Sequence, residues 1–102
     1  MAEYFLHPEV RRFVRTLPLD AKEKVDEGLL LLQKYGRLLP PPDSKKISKD
    51  IFELRVRASV QVRLFYGFSE GIAIVVHGLI KKSDKIPPRE LRLAHKRFIE
   101  LA

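Results

Sequence analysis

Between Ile51 and Lys82 the chain spaces its basic side chains in a way that suits phosphate chemistry. In the run FELRVRASVQVRLFY, Arg55, Arg57 and Arg63 alternate with apolar residues; Lys81 and Lys82 follow the apolar run IAIVVHGLI, and Lys85 lies just beyond. Cations displayed at regular intervals on one face of a sheet have few uses besides gripping a polyanion. A guanidinium holds two phosphate oxygens at once and stays charged at neutral pH, so Arg63 suits charge stabilisation rather than proton transfer. A lysine crowded by other cations can have a lowered pKa, which leaves Lys81 and Lys82 open to either base catalysis or phosphate binding. The chain has no Cys, which removes disulfides and thiolate catalysis, and its three His are scattered, so neither a metal nor another cofactor is expected.

Three consecutive antiparallel strands must carry these side chains. Alternation sends Phe52, Leu54 and Val56 one way and Glu53, Arg55 and Arg57 the other. Val60, Val62, Leu64, Tyr66 and Phe68 form the buried row of the second strand, with Gln61, Arg63 and Phe65 opposite, and a turn at Ser69-Glu70-Gly71 returns the chain. If Ile72, Ile74 and Val76 join the buried row, Val62 lies opposite Gly78 and Arg63 opposite His77. The second face then carries Arg55, Arg57, Arg63, His77 and Lys81, with Phe65, Val75 and Leu79 among them. A final helix begun by Pro87 and Pro88 covers the apolar part through Leu91, Ala94, His95 and Phe98. What stays open is a basic notch, with strand residues as its floor and the loop from Lys81 to Lys85 on its rim. His95, on the inward face of that helix, either packs or reaches the notch as a general acid or base. His7 is expected at the surface.

The first part of the chain reads as a helical hairpin. His7-Pro8-Glu9 opens a helix whose stripe is Val10, Phe13, Val14 and Leu17, with Arg11, Arg12 and Arg15 outward. Pro18 ends it, Asp20 is placed to cap the second helix, and Gly36 to stop it. Ala21, Val25, Gly28, Leu29 and Leu32 face inward, while Leu30 and Leu31 belong either to the core or to a contact with another chain. Leu39-Pro40-Pro41-Pro42-Asp43 reads as a stiff extended connector. The expected architecture is therefore α+β: a helical hairpin packed on a small twisted antiparallel sheet of three to four strands, with a C-terminal helix, in one domain spanning 1–102.

Charge supports the placement of the site. Residues 1–44 hold seven basic and seven acidic residues, whereas residues 45–102 hold thirteen and six, so the whole formal +7 lies in the second part. Such asymmetry marks either a solvated surface or a face that meets a polyanion or an acidic partner. No apolar run approaches the roughly 20 residues of a membrane span, and MAEYFLHPEV lacks a signal-peptide pattern, so a cytoplasmic protein without membrane contact is expected.

The same residues resemble the HigB-like branch of the RelE/ParE toxin superfamily. The matching elements are Glu53-Leu54-Arg55, Arg63-Leu64-Phe65-Tyr66, His77-Gly78-Leu79-Ile80-Lys81-Lys82, Pro87 and Ala94, and the preceding hairpin and proline-containing link also fit. The resemblance implies a RelE/ParE-like fold and a toxin of a type II toxin–antitoxin pair that cleaves mRNA on the ribosome, without a metal. In that reaction an RNA 2′-OH attacks the neighbouring phosphate, so the protein aligns atoms, stabilises charge and assists proton transfer. Arg63 matches the arginine of the family's second core strand. Lys81 and Lys82 stand where related toxins carry basic active-site residues, and Arg55, with Arg57 and Lys85, would hold RNA or ribosomal RNA. The His-Gly pair implies a structural His77 ahead of a catalytic one, and the sequence departs from the family in one respect: the Tyr or His that some relatives place near the C-terminus has no clear match except His95, which leaves the leaving-group acid unassigned. The partners implied are the ribosome, mRNA and an antitoxin, commonly of helix-turn-helix type. It would act by shielding the notch or by docking elsewhere, with Leu30, Leu31 and the first helix as candidate surfaces. Members of the same superfamily that bind and inhibit DNA gyrase, without cutting RNA, supply the alternative reading. A plain nucleic-acid-binding module fits less well, because Phe65 alone does not make a stacking row.

Overall fold

Alternating apolar residues build a sheet that is covered on both faces. The structure, a computed structural model, describes residues 3–102. In chain order the elements are β1 (Glu3–Leu6), α1 (Pro8–Arg15), α2 (Leu19–Tyr35), a 3₁₀ turn (Gly36–Leu38), β2 (Ser44–Lys46), β3 (Phe52–Arg57), β4 (Gln61–Ser69), β5 (Ile72–Ile80) and α3 (Pro88–Leu101). The strands form one five-stranded sheet in the order β1-β5-β4-β3-β2. The β2–β3, β3–β4 and β4–β5 pairs are antiparallel, and β1 runs parallel to β5.

Two apolar layers sandwich the sheet. Leu54, Val56, Val62, Leu64 and Tyr66 meet Val10 and Leu17 and the inward row of α2, which is Ala21, Val25, Leu29 and Leu32 as the helical spacing predicts. On the other face Phe65, Ile74, Val76 and Ile51 meet Ala94 and Phe98 of α3. Close approach decides two positions: a Cβ on Gly78 would lie 2.6 Å from the Phe13 ring, and one on Gly67 would lie 2.5 Å from the Phe98 ring. Those glycines are where α1 and α3 press onto the sheet. The β4–β5 hairpin turns at Glu70 and Gly71, with φ of 50° and 79°, the left-handed pair that a two-residue hairpin turn requires.

Several expectations need correction. The sheet has five strands and is mixed, because β1 and β2 add to its edges. EYFL is too short to show a period, and it becomes a strand because β5 offers it a free edge; His7 N–H extends the pairing by donating to the Val75 carbonyl at 2.9 Å. Residues 40–44 turn rather than extend, with the amides of Asp43 and Ser44 donating to the Pro40 carbonyl at 3.2 and 3.1 Å. Asp20 does not cap α2. Its carboxylate instead accepts from the Ser59 amide and hydroxyl at 2.7 and 2.8 Å, tying the start of α2 to the β3–β4 turn. Those hydrogen bonds, the hydroxyl's first, lower the Asp20 pKa.

The β4–β5 register also differs. Arg63 pairs with Leu79 and Phe65 with His77; Tyr66 then pairs with Val75, so Val76 is the extra residue of a β-bulge. The bulge turns Val76 and His77 toward α3 and puts Val75 in the layer under α1 and α2, not on the cationic face. Continuous apolar sequence from Ile72 to Val76 hides such a shift, since either parity reads as buried. Among the described residues no helix is long and apolar enough to cross a membrane.

Candidate active site

The cationic rows fall where β3, β4 and β5 run beyond the cover of α3. Across β3 and β4, Arg55 pairs directly with Arg63 and Arg57 with Gln61, and the Lys81 amide donates to the Gln61 carbonyl at 2.7 Å. Arg55 and Lys81 thereby reach the same end of the sheet from opposite sides of β4. The chain then leaves β5 as the loop 81–87, which the Ser83 hydroxyl braces by donating to the Lys85 carbonyl at 3.0 Å. Between this loop and β2–β3 lies a notch of about 300 Å³. Lys45, Arg55, Lys81 and Lys85 bring cations to it, Glu53 and Asp84 bring carboxylates, and Ile47, Ile86 and Leu91 form an apolar wall.

In the floor and beneath it is a largely buried charged cluster. Glu53 is 3% exposed and Arg63 6%. The Arg55 Nε donates to Glu53 Oε1 at 2.9 Å, whereas the Arg63 Nε stands 3.8 Å from the same oxygen and has no hydrogen-bond partner. The Arg63 Nη1 donates to the Val62 carbonyl at 3.0 Å. Burial lowers the Arg63 pKa; Glu53 opposes that shift, and Arg55 and Arg57 reinforce it. The guanidinium nonetheless stays charged.

Arg63 was expected to stand open in the notch, and this needs correction: it lies below the floor. It sits on the middle strand, flanked by β3 and β5, in a run where every residue from Val62 to Gly67 is buried. Arg55, Lys81 and Lys85 are brought together around the notch, while Arg57 lies one row outward, lining a smaller hollow against α2 with Lys24 and Glu27, which Arg55 also borders. Lys82 lines a neighbouring hollow of about 190 Å³ with Arg89 and Glu90, on the other side of Lys81 and Lys85, which border both hollows. His95 does not line the notch. It projects from α3 into a groove of about 660 Å³ with Ser48, Arg92 and Ile99, and its Nε2 is 3.9 Å from Asp50. That groove is the larger hollow, yet the notch is the better site for anion chemistry because the cations converge there.

His77 ties β5 to α3. Its Nδ1 lies 3.1 Å from Arg97 Nη1, which can only donate, so Nδ1 accepts and a neutral ring carries its proton on Nε2. Nε2 faces Glu90 at 3.4 Å without an aligned hydrogen bond, and the ring stacks on Phe65. Burial lowers the His77 pKa and Arg97 adds to this, against an opposing pull from Glu90. Among the described residues no cluster of three His, Asp or Glu could hold a metal ion.

Reading the sequence did not assign roles to Glu53, Lys45 and Asp84. Glu53 shares the parity of Arg55 and Arg57, so its face was legible, but its burial between two arginines was not. Lys45 depends on the short strand β2, and Asp84 on the path of the loop.

The α+β fold is that of the RelE toxin: the structure of a doubly substituted E. coli toxin RelE in the free state superposes with a TM-score of 0.64, covering 99% of this chain and 98% of that one, at 14% sequence identity. The chain belongs to the family described as phage derived protein Gp49-like (DUF891), whose model matches residues 12–99. No curated protein matches the chain in sequence.

Proposed function

We propose that the protein is the toxin of a type II toxin–antitoxin pair, HigB-like, and that it cleaves mRNA on the ribosome without a metal. The observation that carries this reading is the notch, where four basic side chains and an apolar wall line one hollow of about 300 Å³, with Glu53 and Asp84 among them. A nucleobase rests against Ile47, Ile86 and Leu91 while Arg55, Lys81 and Lys85 hold the adjoining phosphate. The substrate's 2′-oxygen then gives up its proton and forms a bond to phosphorus as the bond to the 5′-oxygen breaks, and the departing oxygen takes a proton from water, giving a 2′,3′-cyclic phosphate and a 5′-OH. The 2′ proton passes to water or to a neutral Lys81, a protonated Lys81 instead neutralises the developing charge, and Arg63 adds its field from beneath. Lys82 and Arg57 extend the basic surface along the RNA or ribosomal RNA. An antitoxin, of helix-turn-helix type, is the partner that keeps the protein silent. Leu30, 61% exposed on α2, offers it a docking point away from the notch, whereas Leu31 packs against the core.

The test is to induce the protein in cells, isolate RNA within minutes and map new 5′ ends on translated messages, with Arg55→Ala and Lys81→Ala alongside. Cleavage inside reading frames that disappears in both variants supports the reading. Growth arrest with intact messages and DNA damage would move the assignment to the gyrase-binding alternative.

A further inference from the structure

Glu53 is a buried carboxylate that the cleavage chemistry above does not use. Its Oε1 is bonded to Arg55, whose side chain is 24% exposed and lines the notch. The deeper Arg63, 7% exposed at its side chain, is left with an unpartnered Nε that faces the same oxygen. One carboxylate thus stands between two guanidiniums on directly paired strand positions and is bonded to the one that meets solvent.

We infer that Glu53 is a positioning residue whose carboxylate passes from Arg55 to Arg63 when a phosphodiester enters the notch. The inference rests on the reading of the notch as a phosphate site. An incoming phosphate offers Arg55 a new anionic partner at the surface and so releases Glu53 Oε1. Closing the remaining gap to Arg63 Nε takes a movement of about 1 Å, within the freedom of a Glu χ3 rotation. After the exchange both arginines are paired, whereas without ligand one buried N–H lacks a partner. Binding therefore repairs an internal defect. The exchange also keeps the two opposed guanidiniums apart as Arg55 turns outward, because an anion remains between them.

Arginine Nε–H resonances of the wild-type protein report this directly. The probes are a 2′-deoxy trinucleotide, which cannot be cleaved, and inorganic phosphate. The expected result is that saturation moves the Arg63 Nε–H downfield and slows its exchange with solvent on the order of tenfold, while the Lys81 and Lys85 amides shift. Movement at Lys81, Lys85 and Arg55 with an unchanged Arg63 Nε–H would overturn the exchange and leave the phosphate site standing. Failure of both probes to move any of these signals would overturn the two together. In cleavage assays Glu53→Gln should lower kcat and also KM, since Arg55 loses its competitor for phosphate, and Glu53→Asp should restore both toward wild type. Equal losses in the two variants through KM alone would contradict a positioning role.

Discussion

Replacing Arg63 by Met and by Ala separates its electrostatic role from its place in the fold. Arg63→Met keeps most of the buried stem and removes the charge together with the orphaned Nε, while Glu53 retains its 2.9 Å bond to Arg55. Exchanging a poorly paired buried cation for an apolar side chain of similar volume is usually neutral or stabilising, so Met should fold within about 1 kcal/mol of wild type. Arg63→Ala leaves a cavity between β3 and β5 and should cost roughly 2–4 kcal/mol. For a domain of this size that amounts to a fall in Tm of about 10 °C or more. Activity should not follow stability. For an assumed separation of about 6 Å from a phosphate oxygen in the notch, a unit charge at an effective dielectric of about 20 contributes roughly 3 kcal/mol. If most of this is realised as charge builds up, both variants lose on the order of 10²-fold in cleavage rate. Thermal unfolding by circular dichroism and single-turnover cleavage of a ribosome-bound message measure the two quantities separately. A fully active Arg63→Met would refute the electrostatic role, and a Met variant as unstable as Ala would show that the charge itself holds the sheet together.

Other expectations rest on single contacts. His77 has a folded pKa below its ordinary value of about 6.5, so the unfolded chain binds the extra proton more readily; this group leaves stability intact above pH ~6.5 and erodes it as pH falls from there toward the lowered pKa. The groups facing it are Arg97 and Glu90 of α3 and the Phe65 ring, and urea midpoints at pH 7.5 and 5.5 should converge in His77→Gln relative to wild type. The pKa of His7 is also lowered, by partial burial first, so the variant difference, not the absolute slope, is the measure. Gly67→Ala drives a Cβ into the Phe98 ring and the Asp50 carbonyl and should cost about 1–3 kcal/mol in denaturant unfolding; an unchanged midpoint would mean α3 is free to shift. Lys81→Ala and Lys85→Ala should each reduce the slope of log affinity against log salt for ribosomes by about one, and a wild-type slope near zero would argue against phosphate contacts.

Local pattern determined much of this protein. The inward row of α2, the parity of β3 and β4, the Glu70-Gly71 turn and the helix after Pro88 all follow from periods of 3.6 and 2 and from turn residues, which act over a few neighbours. The same parity put Glu53, Arg55 and Arg63 on one face before any contact was known. What sequence could not decide were the features that depend on partners far along the chain. β1 is a strand only because β5 has a free edge, β2 only because β3 does, and the bulge at Val76 arises where an apolar run can pair in either parity. Depth was decided in the same way. Arg63 and Arg55 read alike as alternate basic residues, yet the middle strand buries one while the strand beside the notch leaves the other half-buried. Sequence spacing sets the face on which a side chain lies; only the assembled neighbours set how much water reaches it, and that difference separates the half-buried Arg55 beside the notch from the buried Arg63 beneath it.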